Sequence, residues 1–102
     1  IRYEFDKMTK KFVEELFNLT IKFSDDLDKH IESSLDNWTV DRLNVIDRLI
    51  MQMSLCEMIH LKSYDISHKV TISSAIENAK KFSSEDSTSF VNGVLDSIYK
   101  EL

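Results

Sequence analysis

Leu43 to Leu61, LNVIDRLIMQMSLCEMIHL, is the stretch that decides the fold. From Leu49 onward nine of its thirteen residues are apolar: Leu49, Ile50, Met51, Met53, Leu55, Cys56, Met58, Ile59 and Leu61. At 100° per residue these leave no wide polar face, the pattern of a helix surrounded by other helices. Gln52, Ser54, Glu57 and His60 do not alternate with the apolar positions as a half-buried strand requires. The spacing predicts a central helix starting near Val40 and running about 33 Å at ~1.5 Å per residue, with Met53 fully buried near its middle. Thr39 is placed as its N-cap, and Trp38 with Leu43 has the spacing of a hydrophobic staple.

Upstream, apolar residues recur three or four apart from Lys10 to about Leu35: Phe12, Leu16, Leu19, Phe23, Leu27 and Ile31. Val13, Phe17 and Ile21 widen that stripe beyond what one neighbour covers. Residues 1–9 read as a short helix or a tail, with Tyr3 and Phe5 available to fold back. Ser33-Ser34-Leu35-Asp36-Asn37 breaks the pattern. Downstream, Lys62 to Ser67 is a polar loop. A third helix is expected from Thr71 to Phe82, burying Ile72, Ala75, Ile76 and Ala79, with Ser74 and Glu77 at capping-box spacing. Ser84 caps a fourth helix with Glu85 and Asp86 in its first turn, and Phe90, Val91, Val94, Leu95 and Ile98 form its buried face. Gly93 inside that helix costs about 1 kcal/mol relative to alanine, and its expected purpose is the close approach of another helix.

Composition agrees. One hundred and two residues with one glycine and no proline leave little turn chemistry for a β-fold. The expectation is a single all-α domain over residues 1–102, a compact bundle of four to five helices around a central buried helix. No apolar run approaches the ~18 residues of a membrane span, and no signal peptide pattern is present. The lone Cys56, in the most apolar stretch, suits a reducing cytoplasm. The chain opens at Ile1 and reads as a fragment.

Catalytic and metal chemistry find little support. Cys56 and His60 stand four apart on one helix, as two zinc ligands can, but His30 and His68 are isolated and no second pair exists. Glu57-Met58-Ile59-His60 is a single E-x-x-H, where a di-iron bundle needs two and further glutamates. A buried Glu57 paired with a basic residue is the simpler reading. Serines cluster at helix ends, and neither G-x-S-x-G nor a glycine-rich phosphate loop occurs. Nothing in the sequence argues for an enzyme or asks for a cofactor.

The run KVTISSAIENAKKFSSEDSTSFVNGVLDSI, Lys69 to Ile98, carries a resemblance. Lys69-Val70, Ala75-Ile76-Glu77, Ala79-Lys80, Phe82, Glu85-Asp86-Ser87 and Phe90-Val91-Asn92-Gly93-Val94-Leu95-Asp96 resemble the C-terminal signature of the NusB family of bacterial transcription antitermination factors. Ile46-Asp47-Arg48, Ile50 and Leu55-x-Glu57 resemble that family's central helix. The match is specific over residues 38–98 and loose over 10–37. Ser73-Ser74 departs from the family's usual Asn-Glu, and its arginine-rich N-terminal helix has no counterpart here.

The resemblance implies an all-α fold of two small bundles, of which this chain holds the second and one helix of the first. It implies pairing with ribosomal protein NusE on boxA RNA in support of ribosomal RNA transcription. RNA contacts would fall at Lys69, Lys80, Phe82, Asp86 and Phe90, and a protein-partner contact at Asp47. Phe82 and Phe90 have an alternative as core residues, Asp86 as a first-turn acid, and Asp47 with Arg48 as a local ion pair. Two other readings compete: the related RNA-binding domain of an rRNA cytosine methyltransferase, whose signature reads more like V-N-A-V-L-R, and a helical protein–protein module. A net charge of −5 predicts weak RNA binding by this chain alone, and the wide apolar stripe upstream predicts self-association or partial cover from residues 1–9.

Overall fold

The computed structural model describes the backbone of residues 2–102 and the side chains of residues 9–102. Among these, every regular element is helical: α1 (Arg2–Lys22), α2 (Ser24–Ser33), α3 (Val45–His60), α4 (His68–Phe82) and α5 (Glu85–Glu101), with 3₁₀ turns at Val40–Arg42 and Lys62–Tyr64. The all-α expectation holds. Residues 2–9 continue α1, so neither a separate short helix nor a tail precedes it; the suggestion that Tyr3 and Phe5 fold back concerns side chains outside the described residues.

The upstream pattern is one helical run bent at Phe23 (φ −106°, ψ 18°). The backbone bonds Phe23 N–H to Leu19 O and Leu27 N–H to Phe23 O, both 2.9 Å, carry the ladder across the bend. Beyond it Leu27 and Ile31 of α2 are fully buried, while Leu16, Leu19 and Phe23 only lean on the core from outside. The Phe23 ring stacks on His60 at 4.1 Å, and Phe12 meets Tyr64 edge-on at 5.0 Å. Tyr64 also donates its hydroxyl to Glu15 Oε2 at 2.9 Å.

The central helix starts later than its apolar content suggests. Val40 to Arg42 form a 3₁₀ turn, and the cap is Asn44, whose Oδ1 accepts from Ile46 N–H and Asp47 N–H at 2.8 and 3.3 Å. Thr39 makes no side-chain cap bond. With Asn44 as cap, Trp38 and Leu43 lose the staple spacing. Nor is α3 buried all round. Met51, Leu55 and Cys56 are inaccessible, whereas Val45, Ile46 and Leu49 are exposed and Met53 is half-buried. Periodicity identifies a helix with no polar face, but it cannot tell an apolar face under a neighbour from one left open.

Polar residues fix α3 in place. Arg48 forks onto Asp28 of α2 (Nη2 to Oδ2 2.7 Å, Nε to Oδ1 3.3 Å), and Gln52 Nε2 donates to the same carboxylate at 2.8 Å. The expected Asp47–Arg48 pair is absent: Arg48 binds Asp28, with Asp41 at 3.6 Å as a second partner. That hydrogen bond to Asp28 raises the guanidinium pKa further above its ordinary value. Glu57 also differs from expectation. It is half-buried without an ion pair among the described residues, and burial pushes its carboxyl above the usual range.

α4 begins three residues earlier than predicted, at His68. The Ser67 hydroxyl accepts from Lys69 N–H at 3.2 Å, and Ser74 and Glu77 lie mid-helix. Ile72, Ala75 and Ala79 face the core as expected, against Val91, Val94, Leu95 and Ile98 of α5.

Candidate nucleic-acid interface

The last turn of α4 carries Lys80, Lys81 and Phe82, and the first turns of α5 carry Asp86 and Phe90. Between them Ser83 and Ser84 form a tight corner. Ser84 Oγ accepts from Ser87 N–H at 3.1 Å, capping α5. Ser87 Oγ donates to Asp47 Oδ2 at 2.9 Å and lies 3.0 Å from both Ser83 Oγ and Ser84 Oγ. A hydroxyl has one proton and two lone pairs. With Ser87's proton on the carboxylate, Ser83 and Ser84 must donate to Ser87. The corner is therefore locked by a directed chain of hydroxyls ending on the first turn of α3.

This places Asp47, expected at a partner contact, inside the fold: it is 6 % exposed, and its Oδ1 has no hydrogen-bond partner among the described residues. Its influence on any partner must pass through the corner it holds.

The same lock displays the aromatic pair outward. Phe82 is 63 % exposed and Phe90 37 %, so neither is a core residue. Lys81 Nζ stands 5.7 Å from the Phe82 ring centroid, within cation–π range. Asp86 and Lys80 are exposed beside them. Lys69 is not brought to this corner. It lies in the first turn of α4, some 16 Å along the axis from Lys80 at ~1.5 Å per residue.

The cleft beside Phe90 escaped sequence reading. A space of about 540 Å³ opens between α5 and the 34–44 segment, lined by Trp38, Arg42, Phe90 and Gly93 among others. Trp38 is 53 % exposed. The signal was present in an aromatic residue within a polar break, but Trp38 there reads equally well as a staple.

The other chemical candidates are absorbed by packing. Cys56 is fully buried, and that burial raises its thiol pKa against a smaller pull from Thr20. His60 is stacked on Phe23, and His68 on Tyr99 at 3.7 Å. Among the described residues no three His, Cys, Asp or Glu side chains converge as a metal site, and no helix is long and apolar enough to cross a membrane.

A five-helix fold whose α4–α5 corner presents lysines and aromatics, with no catalytic constellation, has the character of a binding module. The chain belongs to the NusB family, whose profile matches residues 2–100. It is 39 % identical over 97 residues to the transcription antitermination protein NusB of Chloroherpeton thalassium, covering 95 % of this chain and 45 % of that protein. The NusB of Thermodesulfovibrio yellowstonii is 40 % identical over 92 residues, 90 % of this chain and 60 % of that protein. That of Bacillus mycoides is 38 % identical over 90 residues, 88 % and 68 % respectively. The chain thus spans roughly half the length of the first of these relatives. A chain of the structure called "Crystal Structure of a Plectonemic RNA Supercoil" superposes with a TM-score of 0.82 at 30 % identity, over 89 % of this chain and 64 % of that one.

Proposed function

We propose that this chain is the C-terminal module of a NusB-type transcription antitermination factor. In this role it holds boxA-type RNA at the α4–α5 corner, together with ribosomal protein NusE, in the bacterial cytoplasm, and performs no catalysis of its own. The observation that carries the reading is the outward display of Phe82 and Phe90 beside Lys80 and Lys81. Exposed aromatic rings leave apolar surface in water at a cost, and single-stranded RNA uses such rings as stacking platforms. The lysines supply phosphate contacts, but against a net charge of −5 they give only modest affinity.

The test is a titration of a fluorescently labelled boxA-like RNA at ~150 mM salt, where micromolar binding is expected. Phe82→Ala should weaken it by about fivefold or more. Lys80→Ala with Lys81→Ala should lower the slope of log K against log salt by close to two. Affinity and slope unchanged in both variants would remove the corner from the RNA site.

A further inference from the structure

The chain's only glycine and only tryptophan line the same cleft. Gly93 is in mid-α5 with ordinary negative φ, and a Cβ built on it meets nothing within 4 Å. Neither backbone conformation nor internal packing requires glycine here, and no second helix approaches, so the expected helix–helix contact is absent. A helix interior that tolerates glycine without an internal reason points to something outside that needs the space. Trp38 stands opposite on a fixed loop: Asn37 before it adopts a left-handed φ of 59°, and Val40 after it is buried with its N–H bonded to Glu32 Oε2 at 2.9 Å. The ring is thus held out before anything binds.

We propose that this cleft receives one unstacked nucleobase of single-stranded RNA, with its ring between Trp38 and Phe90 and over the bare backbone of Gly93. The inference rests on the RNA-binding reading above. Phe90 belongs to both places, since Asp86, Phe90 and Gly93 follow one another along one face of α5 at helical spacing. A strand crossing the corner therefore runs into the cleft. Arg42, which makes no ion pair among the described residues, lines it and offers a planar donor fork to a base edge or phosphate. Asp36 also lines it, so the attraction is mainly stacking rather than charge. A partner helix fits less well. Ser34 Oγ meets Ser97 Oγ at 3.5 Å, closing the groove one turn beyond Gly93 and leaving a pocket for a compact ring instead of a channel for a helix.

Trp38, being the single tryptophan, reports on the cleft directly. Its fluorescence should be quenched saturably by a boxA-like oligoribonucleotide, with the midpoint seen by anisotropy of the labelled RNA, and should not respond to inorganic polyphosphate. Gly93→Ala should raise the thermal midpoint, because it removes a helix penalty in open space, yet weaken RNA binding about fivefold or more. RNA that binds by anisotropy without quenching Trp38, or with affinity unchanged in Gly93→Ala, overturns the base pocket while leaving the corner reading intact. Quenching by a NusE-like protein but not by RNA makes the cleft a protein site and overturns the proposal. No RNA binding by anisotropy at all overturns both readings.

Discussion

Two methionines separated by one residue show how local the energetics are. Met51 is inaccessible, whereas Met53 lies half-exposed at the edge of the open face of α3. Met51→Ala should cost ~2–5 kcal/mol in urea unfolding, and Met53→Ala under ~1 kcal/mol, because only the first leaves a cavity. Equal costs would show that the face carrying Met53 is covered. Glu57 provides a pH-dependent counterpart. Its folded pKa lies above the ordinary 4.5, for reasons of burial. Stability attributable to this group is therefore full below the unfolded value and is lost as pH rises through the folded one. Glu57→Gln should raise the thermal midpoint at pH 7 and give a shrinking advantage toward pH 4. An advantage independent of pH would locate its source in something other than the carboxylate's charge.

Among the elements, the α4–α5 corner depends most on a single side chain. Ser87→Ala strands the buried Asp47 carboxylate and the Ser83 and Ser84 hydroxyls, so a loss of ~1–3 kcal/mol is expected from chemical unfolding; a neutral substitution would mean that the hydroxyl chain reforms without it. The element count, the Ser84 cap and most core positions were legible because apolar spacing and capping chemistry are local. The Ser87–Asp47 bond, spanning forty residues, and the Arg48–Asp28–Gln52 cluster were not, since each polar residue has a plausible local role that sequence alone does not displace. The α3 start was misplaced for the same reason: Thr39 and Asn44 are both good caps, and only packing chooses between them. Lys80, Phe82, Asp86 and Phe90 owe their selection to the family resemblance, and what no pattern revealed is that both phenylalanines point outward.

Across the whole molecule the described surface carries one conspicuous apolar band. Val13, Phe17 and Ile21 are 55 %, 65 % and 60 % exposed at successive turns of α1. Val45 and Leu49 of α3 line a depression with Ser24 and Asp25, the residues just past the end of α1. Phe17→Ser with Ile21→Ser should change unfolding free energy by under ~1 kcal/mol in total, because neither ring nor branch is in the core. The same pair should abolish any concentration-dependent rise in mass seen by light scattering of the parent. A loss above ~2 kcal/mol would instead place both side chains in a packed interior. The bend at Phe23 has a kinetic corollary. Because α1 rests on the core through half-buried residues and ring contacts, while α2 and α3 to α5 share fully buried side chains, α1 can detach without disturbing the rest. Its amide protons should exchange with solvent by local opening well before those around Leu55 and Leu95. The molecule then has a rigid four-helix body and one helix on a hinge, and whatever covers the outer face of α1 also sets how often that hinge swings.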